Sequence, residues 1–372
     1  MILVLNAEQD EFKNSLRRFV TEQADLKKIR ATQDAGEGFD KGIWQKLSTD
    51  LSVAGVLIDE AHGGWGSEDA VVLASVIQEE LGRGLVPSPF FSSSVVAATL
   101  ITAAGDSAVA DALLPGIASG EKLVTVAATE GPDAWIPASV ATTATQSGSD
   151  WVIQGQKSLV LDAQTASTFI VLASSSDGEG LFCVDAGAEG ITVVPLSVLD
   201  RGRSAARVEF RDVKATKINA ADVSAALART DAVAATLLAA EQYGAMNHAL
   251  EITTEYAKVR VQFARPIGSF QGVKHQLADW AMNTELAYSM VRHAAWAGDH
   301  SPEEFPVSAL AANVNLNNVH FDGAARMIQL HGGIGFTWDF DAHLFYKHAK
   351  TAQLLLGTPG KRRALLADAL GI

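Results

Sequence analysis

Apolar positions near the start of the chain recur every three or four residues. Phe12, Leu16, Phe19 and Val20 share one helical face, charged residues fill the other, and Asn6 stands where a cap is needed. A second helix contains Ile43, Trp44 and Leu47. Beyond the glycine-rich turn from His62 to Gly66, Ser67 with Glu68 and Asp69 opens a helix that carries Val72, Val76 and Ile77 and that Gly82 stops. Helices are also predicted over residues 92–104 and 107–117. The period then changes. Residues 151–161, 168–173, 180–184, 191–195 and 206–218 are short runs rich in valine, isoleucine and aromatics, parted by Gly, Ser and Asp clusters, and they read as strands. Long helices return over residues 222–260, 269–298 and 302–330, and over 343–370 with an interruption at Gly357 to Gly360.

This order predicts an α+β chain with an N-terminal helical domain (1–122), a middle β-barrel or sandwich (123–221) and a C-terminal antiparallel four-helix bundle (222–372). A length of 372 residues suits more than one core, and 48% hydrophobic with 19% charged residues fits a globular protein. The net charge of -14 argues against nucleic acid or an anionic membrane as main partner, since both need a basic face. The lone Cys183, in an apolar run, excludes an internal disulfide and reads as a buried structural thiol. No apolar stretch approaches the ~20 residues that span a bilayer. Met1 to Glu11 lacks a signal-like pattern, so a cytoplasmic protein is expected.

The polar residues from Tyr256 to Gln271, Y-A-K-V-R-V-Q-F-A-R-P-I-G-S-F-Q, join two of the long helices. Arg260 and Gln262 flank an apolar residue just before Phe263, Arg265 adds a second cation, and Pro266 to Gly268 breaks the helix before Phe270 and Gln271. A guanidinium, an amide and an aromatic ring at one helix end are what a phosphate-bearing nucleotide requires. A plain turn with a surface arginine accounts for the same residues. Gln329 to Gly335 reads Q-L-H-G-G-I-G, where paired glycines permit close backbone approach to a ligand.

As a pair, these segments resemble the acyl-CoA dehydrogenase family of flavoenzymes, and the resemblance extends over the whole chain in domain order. It implies that Arg260, Gln262, Phe263, Gln271, Gln329, Gly332 and Gly333 hold the ADP half of an FAD lying mainly in a neighbouring subunit. Desaturating a thioester needs a base for the α proton and a flavin for the β hydride. The family's glutamate before Gly-Thr is here Leu356, in L-L-L-G-T-P, and losing a general base costs ~10²- to 10⁴-fold in rate. The alternative glutamate position falls at about Ala234, with Ala235 where an arginine is often found. Glu241 lies two turns, ~10.5 Å, further along that helical face; it reads as a structural acid paired with a neighbouring helix, or as a relocated base.

The family's Trp-Ile-Thr-Asn-Gly strand is replaced by Leu159, Val160, Leu161, Asp162 and Ala163. Its Thr-Glu-Pro loop is reduced to Thr129, Glu130, Gly131 and Pro132 with Asp133, and Gly148, Ser149 and Asp150 come too late to complete it. What is lost is the share a subunit gives its own flavin; what remains is the share lent to a neighbour. The resemblance therefore implies a subunit of a hetero-oligomeric acyl-CoA dehydrogenase, with an α2β2 arrangement, a shared FAD, and acyl-CoA bound mainly by a second dehydrogenase-like chain. Split enzymes of this kind act on bulky steroid side-chain thioesters. A homo-oligomeric enzyme relying on Glu241 and a flavin-free acyl-CoA-binding scaffold are the alternatives. The nine histidines show no metal-binding spacing: His248, His293 and His320 read as satisfied residues within helices, and His343 and His348 are five apart. Lys347, Lys350, Lys361, Arg362 and Arg363 read as a solvated helix end.

Overall fold

Asn6 starts the first helix, α1 (Ala7–Gln23), through a capping box in which its side chain accepts from the Gln9 amide and Gln9 reciprocates. The computed structural model describes residues 4–36, 38–132, 134–148 and 150–372; Met1, Asp133 and Ser149 of the sequence reading lie outside the described residues. Two short helices follow, α2 (Leu26–Ala35) and α3 (Lys41–Thr49), capped by Asp25 and Asp40. The first has an apolar stripe only two residues long, Leu26 and Ile29, too short a period to read from sequence. Next come α4 (Ala70–Arg83), a buried π-helical segment (Phe90–Ala97) that runs into α5 (Ala98–Ala104), and α6 (Ser107–Ala118).

As expected, α4 ends close to Gly82, at Arg83. A Cβ at Gly82 would lie 2.2 Å from the Glu241 carbonyl oxygen, so the glycine permits two helices to touch backbone to backbone. Asp69 does not cap α4 with its side chain. The carboxylate of Asp299 accepts from the amides of Val71 and Val72 at 2.9 Å each. Asp69, Asp299 and His300 converge there at a spacing that could hold a cation, which the histidine spacing in the sequence does not reveal.

Among the described residues seven strands form the middle domain: β1 (Val124–Ala127), β2 (Thr143–Ser147), β3 (Asp150–Leu161), β4 (Thr168–Ser175), β5 (Gly178–Asp185), β6 (Ile191–Pro195) and β7 (Ala205–Ile218). Pairings β2–β3, β3–β7, β7–β5 and β5–β4, with one parallel bridge from Thr143 to Ser174, close a barrel. Its interior holds Trp151, Ile153, Phe169, Phe182, Val208 and Phe210. Strands β3 and β7 largely alternate inward and outward residues, whereas β1, β4 and β5 are covered on both faces, their Val126, Ile170, Leu172 and Leu181 packing into the helical core. Cys183 is only half-buried, and burial pushes its thiol up to about 11.

The C-terminal bundle comprises α7 (Val223–Val259), α8 (Gln271–His300), α9 (Phe305–His331), α10 (Ala342–Leu355) and α11 (Pro359–Leu370), with a two-strand hairpin, β8 (Val261–Gln262) and β9 (Arg265–Pro266), between the first two. Alanine-rich α7 is central and packs against α4, α8 and α9. By length and composition α7 could cross a membrane, contrary to the sequence reading, but 67% of its most apolar window is buried inside the protein. The predicted solvated basic helix end holds for Lys361 and Arg363, which are exposed, and not for the other three. Arg362 is buried against Asp231 and Asn313, Lys350 donates to Gln353, and Lys347 sits over the Trp338 ring. His320 is not satisfied: it is buried with no hydrogen-bond partner on either ring nitrogen.

Candidate functional site

The two motifs meet at one end of the bundle. Tyr256, on the last turn of α7, stacks on His331, the last residue of α9, with ring centroids 4.2 Å apart, and its hydroxyl donates to the His331 carbonyl. Arg260, Gln262, Phe263, Gln271, Gln329, Gly332 and Gly333 are all exposed at this end. Phe263 is 90% exposed, as are Phe336 (87%) and Trp338 (73%) nearby in sequence to the glycines. Exposed aromatics on this scale mark an interaction surface.

The hairpin presents Phe263 at a cost. Phe263 and Ala264 both have positive φ, 52° and 61°, in the two-residue turn that asparagine and glycine normally supply. Arg265 lies 3.9 Å over the Phe270 ring, fixing the second cation beside the start of α8. Phe270 gives α8 no side-chain cap, so its first amides keep their capacity to bind an anion. A Cβ added at Gly332 or Gly333 would meet nothing within 4 Å, so both glycines border open space. The packed glycine is Gly335, where a Cβ would come within 2.7 Å of the Ile328 carbonyl oxygen. Cations, amides and unblocked backbone at this end fit the pyrophosphate and ribose of a dinucleotide.

The flavin-ring position within this chain does not fit. Leu356 is 5% exposed, in the turn between α10 and α11, where Gly357 bridges to Ala134. Trp135, 9% exposed, packs beside Leu356 and donates from its indole nitrogen to Asp231 at 2.6 Å. Asp231 also receives two bonds from Arg362, at 2.8 and 3.0 Å. Glu130 anchors the loop that carries Trp135: it accepts from Lys157 at 2.6 Å and from the amides of Ala141 and Thr142. Thr129 bridges to Leu159, so the reduced Thr-Glu-Gly-Pro loop closes over the altered strand. Between Leu159, Leu161, Phe91 and Leu356 a cavity of about 40 Å³ remains, which suits water-sized groups and not a three-ring system. Outside Trp135 the surface opens into a cleft of about 1060 Å³ that Asp231, Lys361 and Leu365 help to line. Ala234 and Ala235 are fully buried and offer no acid or cation.

Glu241 is buried and fully engaged. It accepts from Gln78 of α4, from Arg203 in the segment before β7, and from His348 of α10 at 2.6 Å. Burial favours the neutral acid, but Arg203 and His348 outweigh it and hold the carboxyl down at about 2. A carboxylate that far below its ordinary range is a weak proton acceptor. Asp162 takes a bond from Ser92 at 2.5 Å, and burial pushes its carboxyl up to about 6. The partners Arg203 and His348 lie 38 and 107 residues away in sequence, and only a charge count near Glu241 in space finds them.

These groups set an acid limit. Glu130 and Glu241, both held at about 2, contribute stability that is complete above their unfolded value of 4.5 and is lost as pH falls towards 2. His320, kept neutral by burial and by His348, favours unfolding as pH drops through 6.5. Asp162 and Asp299, raised to about 6, act in the opposite sense, because the folded chain takes up their protons first. The melting temperature is therefore expected to change little between pH 6.5 and 4.5 and to fall steeply below. A midpoint that stays constant down to pH 3 in a thermal titration would contradict this balance.

Profiles of the acyl-CoA dehydrogenase N-terminal, middle and C-terminal domains match residues 6–121, 125–213 and 225–371. The chain is 31% identical over 352 residues to acyl-CoA dehydrogenase IpdE2 of Mycobacterium tuberculosis, covering 95% of this chain and 94% of that protein. Its identity to IpdE2 of Mycolicibacterium smegmatis is 30%, covering 95% and 96%. Among solved structures, the Tcur3481-Tcur3483 steroid ACAD variant is 32% identical with a TM-score of 0.87, covering 98% of each chain. The ChsE4-ChsE5 complex from Mycobacterium tuberculosis shares the fold at 24% identity and a TM-score of 0.88, covering 100% of this chain and 99% of that one. Three matched domains in order and a 31% identical relative along nearly the full length leave one assignment: this chain belongs to the acyl-CoA dehydrogenase family.

Proposed function

We propose that the chain is a subunit of a hetero-oligomeric acyl-CoA dehydrogenase, inactive alone, that lends its exposed bundle end to an FAD held chiefly by a second dehydrogenase-like chain. The observation that carries the proposal is the contrast between two places in one chain. The nucleotide-facing end keeps Arg260, Gln262, Gln329 and two open glycines at the surface, whereas the ring position is filled by Trp135 and walled by Leu356. FAD supplies the hydride acceptor when bound. Arg260 and Arg265 would neutralise its pyrophosphate, Gln262 and Gln329 would orient it by amide bonds, and Phe263 would reach across the interface from its strained turn. The α proton is then removed by the partner's base, since Leu356 has none to offer and Glu241 is tied to Arg203 and His348. An α2β2 assembly follows if two such pairs associate. Similarity to a steroid ACAD built from two chains supports a bulky, steroid side-chain acyl-CoA as substrate, held mainly by the partner.

Co-expression with the second chain tests this reading. A yellow complex is expected, and a colourless or insoluble product when this chain is made alone. Within the complex, Arg260→Ala is expected to weaken FAD retention by roughly 1.5 to 3 kcal/mol, as for a hydrogen bond to a charged group. Unchanged retention would remove Arg260 from the site, and a yellow homo-oligomer that turns over acyl-CoA would remove the proposal.

A further inference from the structure

Three spaces meet at one side chain. The outer cleft of about 1060 Å³, a side opening of about 340 Å³ bordered by Gly131, Ser158 and Gly357, and the inner cavity of about 40 Å³ all have Trp135 in their walls. Among the described residues, only Trp135 and Leu356 line both the outer cleft and the inner cavity. Leu356 sits in the turn that joins α10 to α11. Trp135 stands on the loop between β1 and β2, whose backbone is pinned before Trp135 by the Thr129–Leu159 and Ala134–Gly357 bridges and beyond it by the bonds of the Ala141 and Thr142 amides to Glu130, so the indole is the movable part of the partition.

The rest of the inner wall is mostly apolar, with Phe91, Val96, Val126, Leu159, Leu161 and Leu355, and its three hydroxyls are already committed: Ser92 donates to Asp162, Thr125 to the Leu161 carbonyl and Thr129 to the Trp135 carbonyl. An apolar cavity of ring size stays dry and binds flat hydrocarbons. Removing the indole would join the inner cavity to the outer cleft and add the volume of a bicyclic ring. The indole's one polar atom points at Asp231, which keeps both of its Arg362 bonds when the indole leaves. No buried charge is orphaned by that departure, so the partition can open without the penalty that an unpaired carboxylate would impose.

We infer that Trp135 is an internal ligand: its indole fills a chamber for a flat apolar ring of one or two fused members, and an external ring of that size can take its place from the outer cleft. This inference rests on the cavities and is independent of how FAD is shared. It is tested by chemical rescue in the full chain, with its partner where the partner is needed for solubility. Trp135→Gly is titrated with indole by calorimetry and thermal shift. Saturable binding is expected at least about tenfold tighter than to the unmodified chain, with a rising melting temperature, as for ligands entering an engineered apolar cavity. Equal binding to both proteins, or a folded variant that binds no indole, overturns the inference. Should Trp135→Gly not fold, Trp135→Leu with benzene as probe carries the same test. Saturable benzene binding by that variant alone supports the chamber, and its absence in the folded variant overturns it.

Discussion

Glu241→Gln is expected to destabilise the chain by about 3 to 5 kcal/mol, the cost of breaking a buried ion pair from one side. Arg203 is mostly buried and would lose its carboxylate while its guanidinium stays out of water, and His348 would lose the acceptor at 2.6 Å. The Arg203 side chain comes from the β-domain side and Glu241 from α7, so the pair also clasps the barrel to the bundle. Adding Arg203→Met to Glu241→Gln should restore part of the loss, because no guanidinium is left without its carboxylate, and only part, because Asp200 and Asp162 then lose the cation that they face. Urea unfolding of the four proteins of this cycle measures the coupling. Turnover per folded hetero-oligomer is expected to survive the single change. A ~10²- to 10⁴-fold loss of turnover with an unaltered unfolding midpoint would instead make Glu241 the relocated base.

Gly244→Ala should be comparably damaging for a steric reason. The new Cβ would lie 1.9 Å from the Glu79 carbonyl oxygen and 3.0 Å from the Arg83 amide nitrogen. Both are backbone atoms of α4, so relief requires α4 and α7 to part along a crossing that Gly82 shares from the other side. Overpacking a core costs about 1 to 3 kcal/mol when side chains can yield, and a backbone clash belongs at or above the top of that range. Separation would also loosen Glu79, whose carboxylate is buried between Lys13 and Arg292. Gly272→Ala is the matched control: it is the second residue of α8 with nothing within 4 Å of the new methyl, and alanine there should gain a fraction of the ~1 kcal/mol that it gains in a helix interior. Denaturation midpoints for the two variants should move in opposite directions. Equal, small effects would mean that α4 and α7 are less tightly apposed than the structure has them.

Much of the fold is legible in the chain because the signals are local. The capping box at Asn6, the alternation in β3 and β7, and the break at Pro266 to Gly268 each act through residues only a few positions apart. Where the reading fell short, a local signal had a distant cause. Gly82 stands near a helix end as its type suggests, but its lack of a side chain also serves the backbone of α7, 159 residues further on, which no local signal shows. Strand β1 is four residues long and β2 is largely polar, so neither has a period to detect; their places are fixed by pairing with β4 and β3. Arg362 sits in a run of cations and looks solvated until Asp231 and Asn313 are brought around it.

The candidate site divides in the same way. Motif residues at the ends of α7 and α9 could be named from their order alone, since a helix end, a cation and a glycine pair are properties of short segments. The exchange of a glutamate for Leu356 was equally plain. That Trp135 and Leu356 stand together between the inner cavity and the outer cleft, and that Glu241 is paired with Arg203 and His348, followed only from tertiary packing. Residue type and spacing determined which groups the chain possesses and which it has given up. Whether a buried charge is free or paired, and whether a lost side chain leaves a cavity or is replaced by another, depends on neighbours remote in sequence, because electrostatic and steric energies are set by distance in space.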